Sequence, residues 1–115
     1  MFNKMIVPTG NGGGINPIDA SNPDILDHRS LTSGTYTLAV TKKPRLIVIS
    51  EAHASVGWNV VTIWSEDTVF AYVQESTSVW TASDTYNQIV SVTDTQIQYK
   101  HISANASYIT VTAWY

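Results

Sequence analysis

The sequence contains no cysteine, only six Lys and Arg together, and no long run of apolar residues. Each absence removes a class of function. Without thiols there can be no disulfide framework, thiolate metal centre or cysteine nucleophile, so stability has to come from packing or from partner subunits. With nine acidic residues against those six and a net charge of -3, no basic stripe is present to neutralise a row of phosphates, and nucleic-acid binding lacks its usual electrostatic source. No segment approaches the roughly 18 apolar residues that cross a bilayer as a helix. The opening residues, MFNKMIVP, lack the apolar stretch and small-residue cleavage site of a secretory signal. The expectation is a chain made in the cytoplasm, without membrane insertion. Charged residues are 13% of the whole, about half the roughly 25% usual in soluble domains. The surface is therefore polar mainly through Ser, Thr, Asn and Gln.

What remains is one domain of 115 residues with an ordinary apolar share of 43%, long enough for a hydrophobic core and too short to divide comfortably. From Gly34 onward β-branched and aromatic residues dominate, and apolar positions recur with a period of two, the pleat of a half-buried strand. Tyr36, Leu38 and Val40 share one face with Thr35, Thr37 and Thr41 opposite, while Leu46-Ile47-Val48-Ile49 is apolar on both faces and reads as central. Further strands are expected over 5–7, 58–64, 69–74, 86–93, 97–102 and 108–114. The links at 42–44, 54–57, 65–67, 93–95 and 103–106 are short and turn-rich, which fits hairpins and antiparallel pairing. The pattern predicts an all-β chain, an antiparallel β-sandwich or jelly roll of about eight strands, with a small barrel as the other architecture.

Residues 1–33 read differently from the core over 34–115. They comprise a short strand and an irregular glycine-rich arm, within which Asn22-Pro23-Asp24-Ile25-Leu26-Asp27 carries the signals of a short helical turn: a capping Asn, a Pro at the first position and an acid in the first turn. The stretch GNGGGINP after an apolar run invites a phosphate-loop reading. It fails, because Ile15 stands where a third fingerprint glycine would fall, no Lys follows, and no long helix opens behind it. Gly12, Gly13 and Gly14 instead suit close backbone approach at a contact between subunits.

No catalytic residue and no cofactor is assigned. Glu51 and His53 lie two apart, and Asp24, Asp27 and His28 cluster, with Ser30, Ser50 and Ser55 as conceivable nucleophiles, but no nucleophile elbow or oxyanion signature accompanies them. No metal site is assigned either: His28, His53 and His101 are far apart and lack ligand spacing. His101 shares a face with Ile97 and Tyr99 and reads as a hydrogen-bonded, half-buried histidine. Asn105-Ala106-Ser107 matches a glycosylation acceptor and is read as a turn.

Four Trp and six Tyr outnumber two Phe, and rings with a polar tip favour places where one end meets water or a partner. Trp58 and Trp64 share a face with Val60 and belong to the core. In the last strand Ile109, Val111 and Ala113 take one face, leaving Tyr108 and Trp114 on the other as candidate subunit contacts. Trp80 stands in what reads as a polar Ser/Thr loop over 75–85, and with Asp84 and Tyr86 forms the candidate ligand patch, suited to stacking on a sugar ring.

The segments MIVPTGNGGG, SGTYTLAVTKKPRLIVIS and IQYKHISANASYITVTAWY together resemble the small accessory β-sandwich proteins of tailed bacteriophages found in tail tips, fibre knobs and head decorations. The resemblance is one of texture, from Gly34 to Tyr115. It implies a non-enzymatic virion protein, commonly a homotrimer, contacting other virion proteins and able to attach to a host surface through a cell-surface glycan. The chain lacks the coiled-coil or β-helical shaft of a whole fibre. The alternative is a carbohydrate-binding module or adhesin.

Overall fold

The structure, a computed structural model, describes residues 4–5, 18–19, 22–53, 59–76, 78–102 and 107–115. Every regular element among them is a strand: β1 (Lys4–Met5), β2 (Ile18–Asp19), β3 (Asp24–Leu31), β4 (Gly34–Ala39), β5 (Leu46–His53), β6 (Asn59–Ser65), β7 (Thr68–Ser76), β8 (Val79–Ala82), β9 (Asn87–Val92), β10 (Gln96–His101) and β11 (Ser107–Trp114). A six-stranded sheet runs β3-β11-β5-β6-β7-β8, a three-stranded sheet runs β4-β10-β9, and β1 pairs with β2 separately. All pairings are antiparallel. The expected all-β antiparallel sandwich is what the chain forms, with nine strands in its two sheets rather than about eight. Gly12, Gly13, Gly14 and Trp58 lie outside the described residues.

The period of two decides which side chains enter the core. On β5, β6 and β11 the register sets Ile47 opposite Trp64 and Ala113, Ile49 opposite Val111, and Glu51 opposite Val60 and Ile109. These face Leu38, Ile97 and Tyr99 of the small sheet, and Ile47, Ile49, Ile97, Tyr99, Ile109 and Val111 are completely buried. Burying such side chains supplies the main favourable contribution, of order 1.5–3 kcal/mol each. Tyr36 and Val40 pack against this cluster from the side expected of them.

Two expectations are corrected. The helical turn over Asn22–Asp27 does not form: Asp24 to Leu31 are strand β3, the edge of the large sheet on β11. A β-bulge between Val111 and Thr112 sets Ile25 opposite Thr112 and Asp27 opposite Val111, so Leu26 is extra and the period of two is broken where it would have been read. Pairing with β11 supplies backbone partners that a single isolated turn could not match. The link at 42–44 is likewise no hairpin, since it carries the chain from β4 in one sheet to β5 in the other; the 103–106 link also joins strands of different sheets, and its own residues lie outside the described ones.

Glu66 and Asp67 do make the expected hairpin between β6 and β7, both with positive φ, 45° and 70°. Two central residues in the left-handed region give a turn whose twist matches the strands. Neither is glycine, and Arg45 Nε donates to Glu66 Oε1 at 2.6 Å. Asp67→Gly should therefore raise stability by about 0.5–1 kcal/mol, read by urea unfolding, because it relieves the left-handed strain and leaves the Arg45 contact in place.

Candidate functional site

The side of the six-stranded sheet that turns away from the core is built by the same alternation. Its first cross-strand row reads Trp80, Gln74, Asn59, Ala52, Tyr108, Ser30; the second Ala82, Tyr72, Val61, Ser50, Thr110, His28; the third Phe70, Ile63, Val48, Thr112, Ile25. Below them lie Leu46 and Trp114. No row contains Lys, Arg, Asp or Glu. Phe70, Tyr72, Trp80, Tyr108 and Ile25 are exposed, Ile25 to 67%. A sheet face normally solvated would be polar throughout; this one is apolar in its third row except for Thr112, and mixed in the first two.

Between Trp80 and Tyr108 the first two rows dip into an open hollow of about 300 Å³, lined by Ser50, Ala52, Asn59, Val61 and Thr110 with the two rings as its ends. Small residues floor it because they sit between large ones in the same row. Its side chains are held in place. Asn59 Nδ2 donates to Gln74 Oε1 at 2.8 Å. His28 Nδ1 and Thr110 Oγ1 are 2.8 Å apart, and the His28 ring meets Tyr108 edge-on at 4.6 Å.

Comparison with known proteins finds no family model, no curated protein and no solved structure that matches this chain. The functional reading rests on the geometry and on the residues themselves.

The geometry regroups the residues singled out in the sequence. Trp80 is not in a loop: Val79–Ala82 form β8, an edge strand exposed along its length. Trp80 shares the hollow with Tyr108, whereas neither Asp84 nor Tyr86 lines it. Asp84 is exposed in the link to β9, where its carbonyl accepts from Gln88, and the Tyr86 carbonyl accepts from Ile102 N. Tyr108 and Trp114 both lie on the outer face, as the alternation of the last strand indicated. Asn59 and Thr110 carry no signal in the sequence, and Ser50 stands out there only as a conceivable nucleophile, because their proximity depends on strand order.

Of the ionisable residues weighed for chemistry, His28 stands on this face against Thr110 and Tyr108, while Glu51, His101 and Asp27 are placed elsewhere. Glu51 points into the core, where its Oε1 accepts from Asn87 Nδ2 at 2.7 Å. His101 Nδ1 lies 2.9 Å from Asn87 Oδ1 and 3.4 Å from Glu51 Oε1, so the three tie β5 to β9 and β10 across the sandwich. His101 is fully rather than half buried. Among the described residues Glu51 Oε2, His101 Nε2 and Ser107 Oγ find no partner. Asp27 joins a second cluster, receiving Tyr99 Oη at 3.1 Å and Arg29 Nε at 2.8 Å.

Burial, and after it the Asp27 charge and hydrogen bond, raises Tyr99 well above the usual tyrosine range, with Arg29 pulling the other way. The unfolded chain ionises this residue near pH 10, while the folded chain keeps its proton. Above that pH the folded state binds more protons, so stability falls with rising pH by up to about 1.4 kcal/mol per unit for this group. Urea unfolding from pH 8 to 11.5 should show the decline. Tyr99→Phe should flatten it, at a cost near neutral pH of about 1 kcal/mol for the lost Asp27 bond.

Proposed function

We propose that this chain is a non-enzymatic structural component of a bacteriophage particle, a tail, fibre-knob or decoration protein that acts by assembling with other copies of itself and with other virion proteins. The observation that carries the reading is the uncharged outer face of the six-stranded sheet, with its apolar row from Phe70 through Ile63 and Val48 to Ile25. The part of the face around this row, five strands about 4.8 Å apart and some four residues long, is roughly 300 Å² in plan, a small contact beside the ~800 Å² each partner contributes to a standard protein interface. A face whose described rows hold no Lys, Arg, Asp or Glu can be covered by another copy with little like-charge repulsion and few stranded charges.

The texture shared with small phage β-sandwich proteins supports the same reading, and from it a homotrimer is the favoured assembly, with attachment to a host surface as an additional role. Partner subunits would also supply the stability that a chain without disulfides must find in packing. The particle itself tests this. Mass spectrometry of density-purified particles of the phage encoding the chain should find it as a stoichiometric component. Its absence from particles, with the protein present in the lysate, would overturn the assignment.

A further inference from the structure

We infer that the hollow between Trp80 and Tyr108 binds an uncharged oligosaccharide. This goes beyond the assembly reading and uses a different part of the face: the apolar row lies toward the opposite end of the strands, while the hollow occupies the first two rows.

The ligand class follows from what lines the hollow. Its ends are two amphipathic rings, each 47% exposed, and its polar groups are the hydroxyls of Ser50 and Thr110 and the amide of Asn59. Among the described lining residues there is no Lys, Arg or His, and the one carboxylate, Glu51, is turned into the core and bonded to Asn87. A phosphate, a nucleotide or an acidic sugar would need a cation that the lining does not provide. A wholly apolar ligand would cover the Ser50 hydroxyl and the Asn59 Oδ1 without giving either a partner. A neutral sugar presents apolar ring faces and a hydroxyl rim, which match aromatic platforms flanking neutral donors and acceptors.

Size and order fit as well. A volume of about 300 Å³ stands at the lower end of small-molecule sites, enough for one or two sugar rings, and the open ends let a longer chain continue. Trp80 and Tyr108 stand on strands four spacings apart, about 19 Å at the usual strand separation, so a glycan lying across the strands can meet both. The site is ordered before any ligand arrives, since His28 braces Tyr108 and Gln74 fixes Asn59.

The test is a glycan array of neutral and acidic structures probed with the full chain, followed by solution titration of the strongest neutral glycan by tryptophan fluorescence and calorimetry. Neutral glycans should bind in preference to acidic ones. Trp80→Ala should weaken the titrated affinity at least tenfold, Trp80→Phe should restore part of it, Asn59→Ala should weaken it several-fold, and Phe70→Asp on the apolar row should leave it within about twofold. The inference fails if no neutral glycan binds above the Trp80→Ala background, if Trp80→Ala titrates like the parent, or if acidic glycans are preferred. Oligomeric mass measured on the same samples separates the outcomes: an assembled protein that binds no neutral glycan sinks this inference alone.

Discussion

Replacing His101 with alanine is expected to cost the fold about 3–5 kcal/mol, the stranding of a buried polar group and the void left by the ring acting together. Asn87 Nδ2 donates to Glu51 Oε1, so Asn87 presents its carbonyl oxygen to His101, and the His101 Nδ1 must carry the proton between them. Without the imidazole, Asn87 Oδ1 loses its donor in a layer closed to water, the Glu51 carboxylate keeps Asn87 Nδ2 but loses the ring 3.4 Å away, and a ring-sized void opens beside Tyr99 and Ile97 on the same face. Domains of this size have only about 5–15 kcal/mol of stability, so the variant should unfold at far lower urea. Replacing all three members together, Glu51→Leu, Asn87→Leu and His101→Leu, should recover most of the loss, because no polar group of the network is then left stranded. A loss under 1 kcal/mol for His101→Ala would show that water reaches this layer.

The second large effect falls on assembly rather than folding. Phe70 is exposed on the apolar row, so Phe70→Asp should change the stability of a single chain by no more than about 0.5 kcal/mol. Covered by another copy, the new carboxylate would be buried without a partner, and the assembly constant should drop at least 100-fold, close to 3 kcal/mol. Thr37→Asp is the matching control: Thr37 is exposed on the opposite side of the molecule, away from the core on β4, and its variant should assemble like the parent. Sedimentation equilibrium on the three proteins reads both. Equal assembly by Phe70→Asp would remove the apolar row from the interface.

The alternation of apolar residues was enough to read the fold wherever a strand is long and half-buried. Ile109, Val111 and Ala113 point inward and Tyr108 and Trp114 outward, and His101 sits with Ile97 and Tyr99, all as the period of two dictates. It failed where the period is interrupted or too short. The bulge at Leu26 put Ile25 and Leu26 side by side, and local capping signals at Asn22 and Pro23 then pointed to a helix that pairing with β11 overrides. Strand β8 has four residues and no buried face, so nothing in the sequence distinguishes it from the polar stretch around it, and the pattern alone puts Trp80 in a loop. The hollow was hidden for another reason. Trp80, Asn59 and Tyr108 come from three distant segments, and only the order β11-β5-β6-β7-β8 makes them neighbours.

The measurement that bears most directly on the central claim is the molar mass of the full chain in solution, by light scattering across a dilution series. A face built to be covered by other copies predicts a multiple of the 12.6 kDa chain, three copies being the expected assembly, with dissociation only on strong dilution. A mass of one chain at every concentration would contradict it.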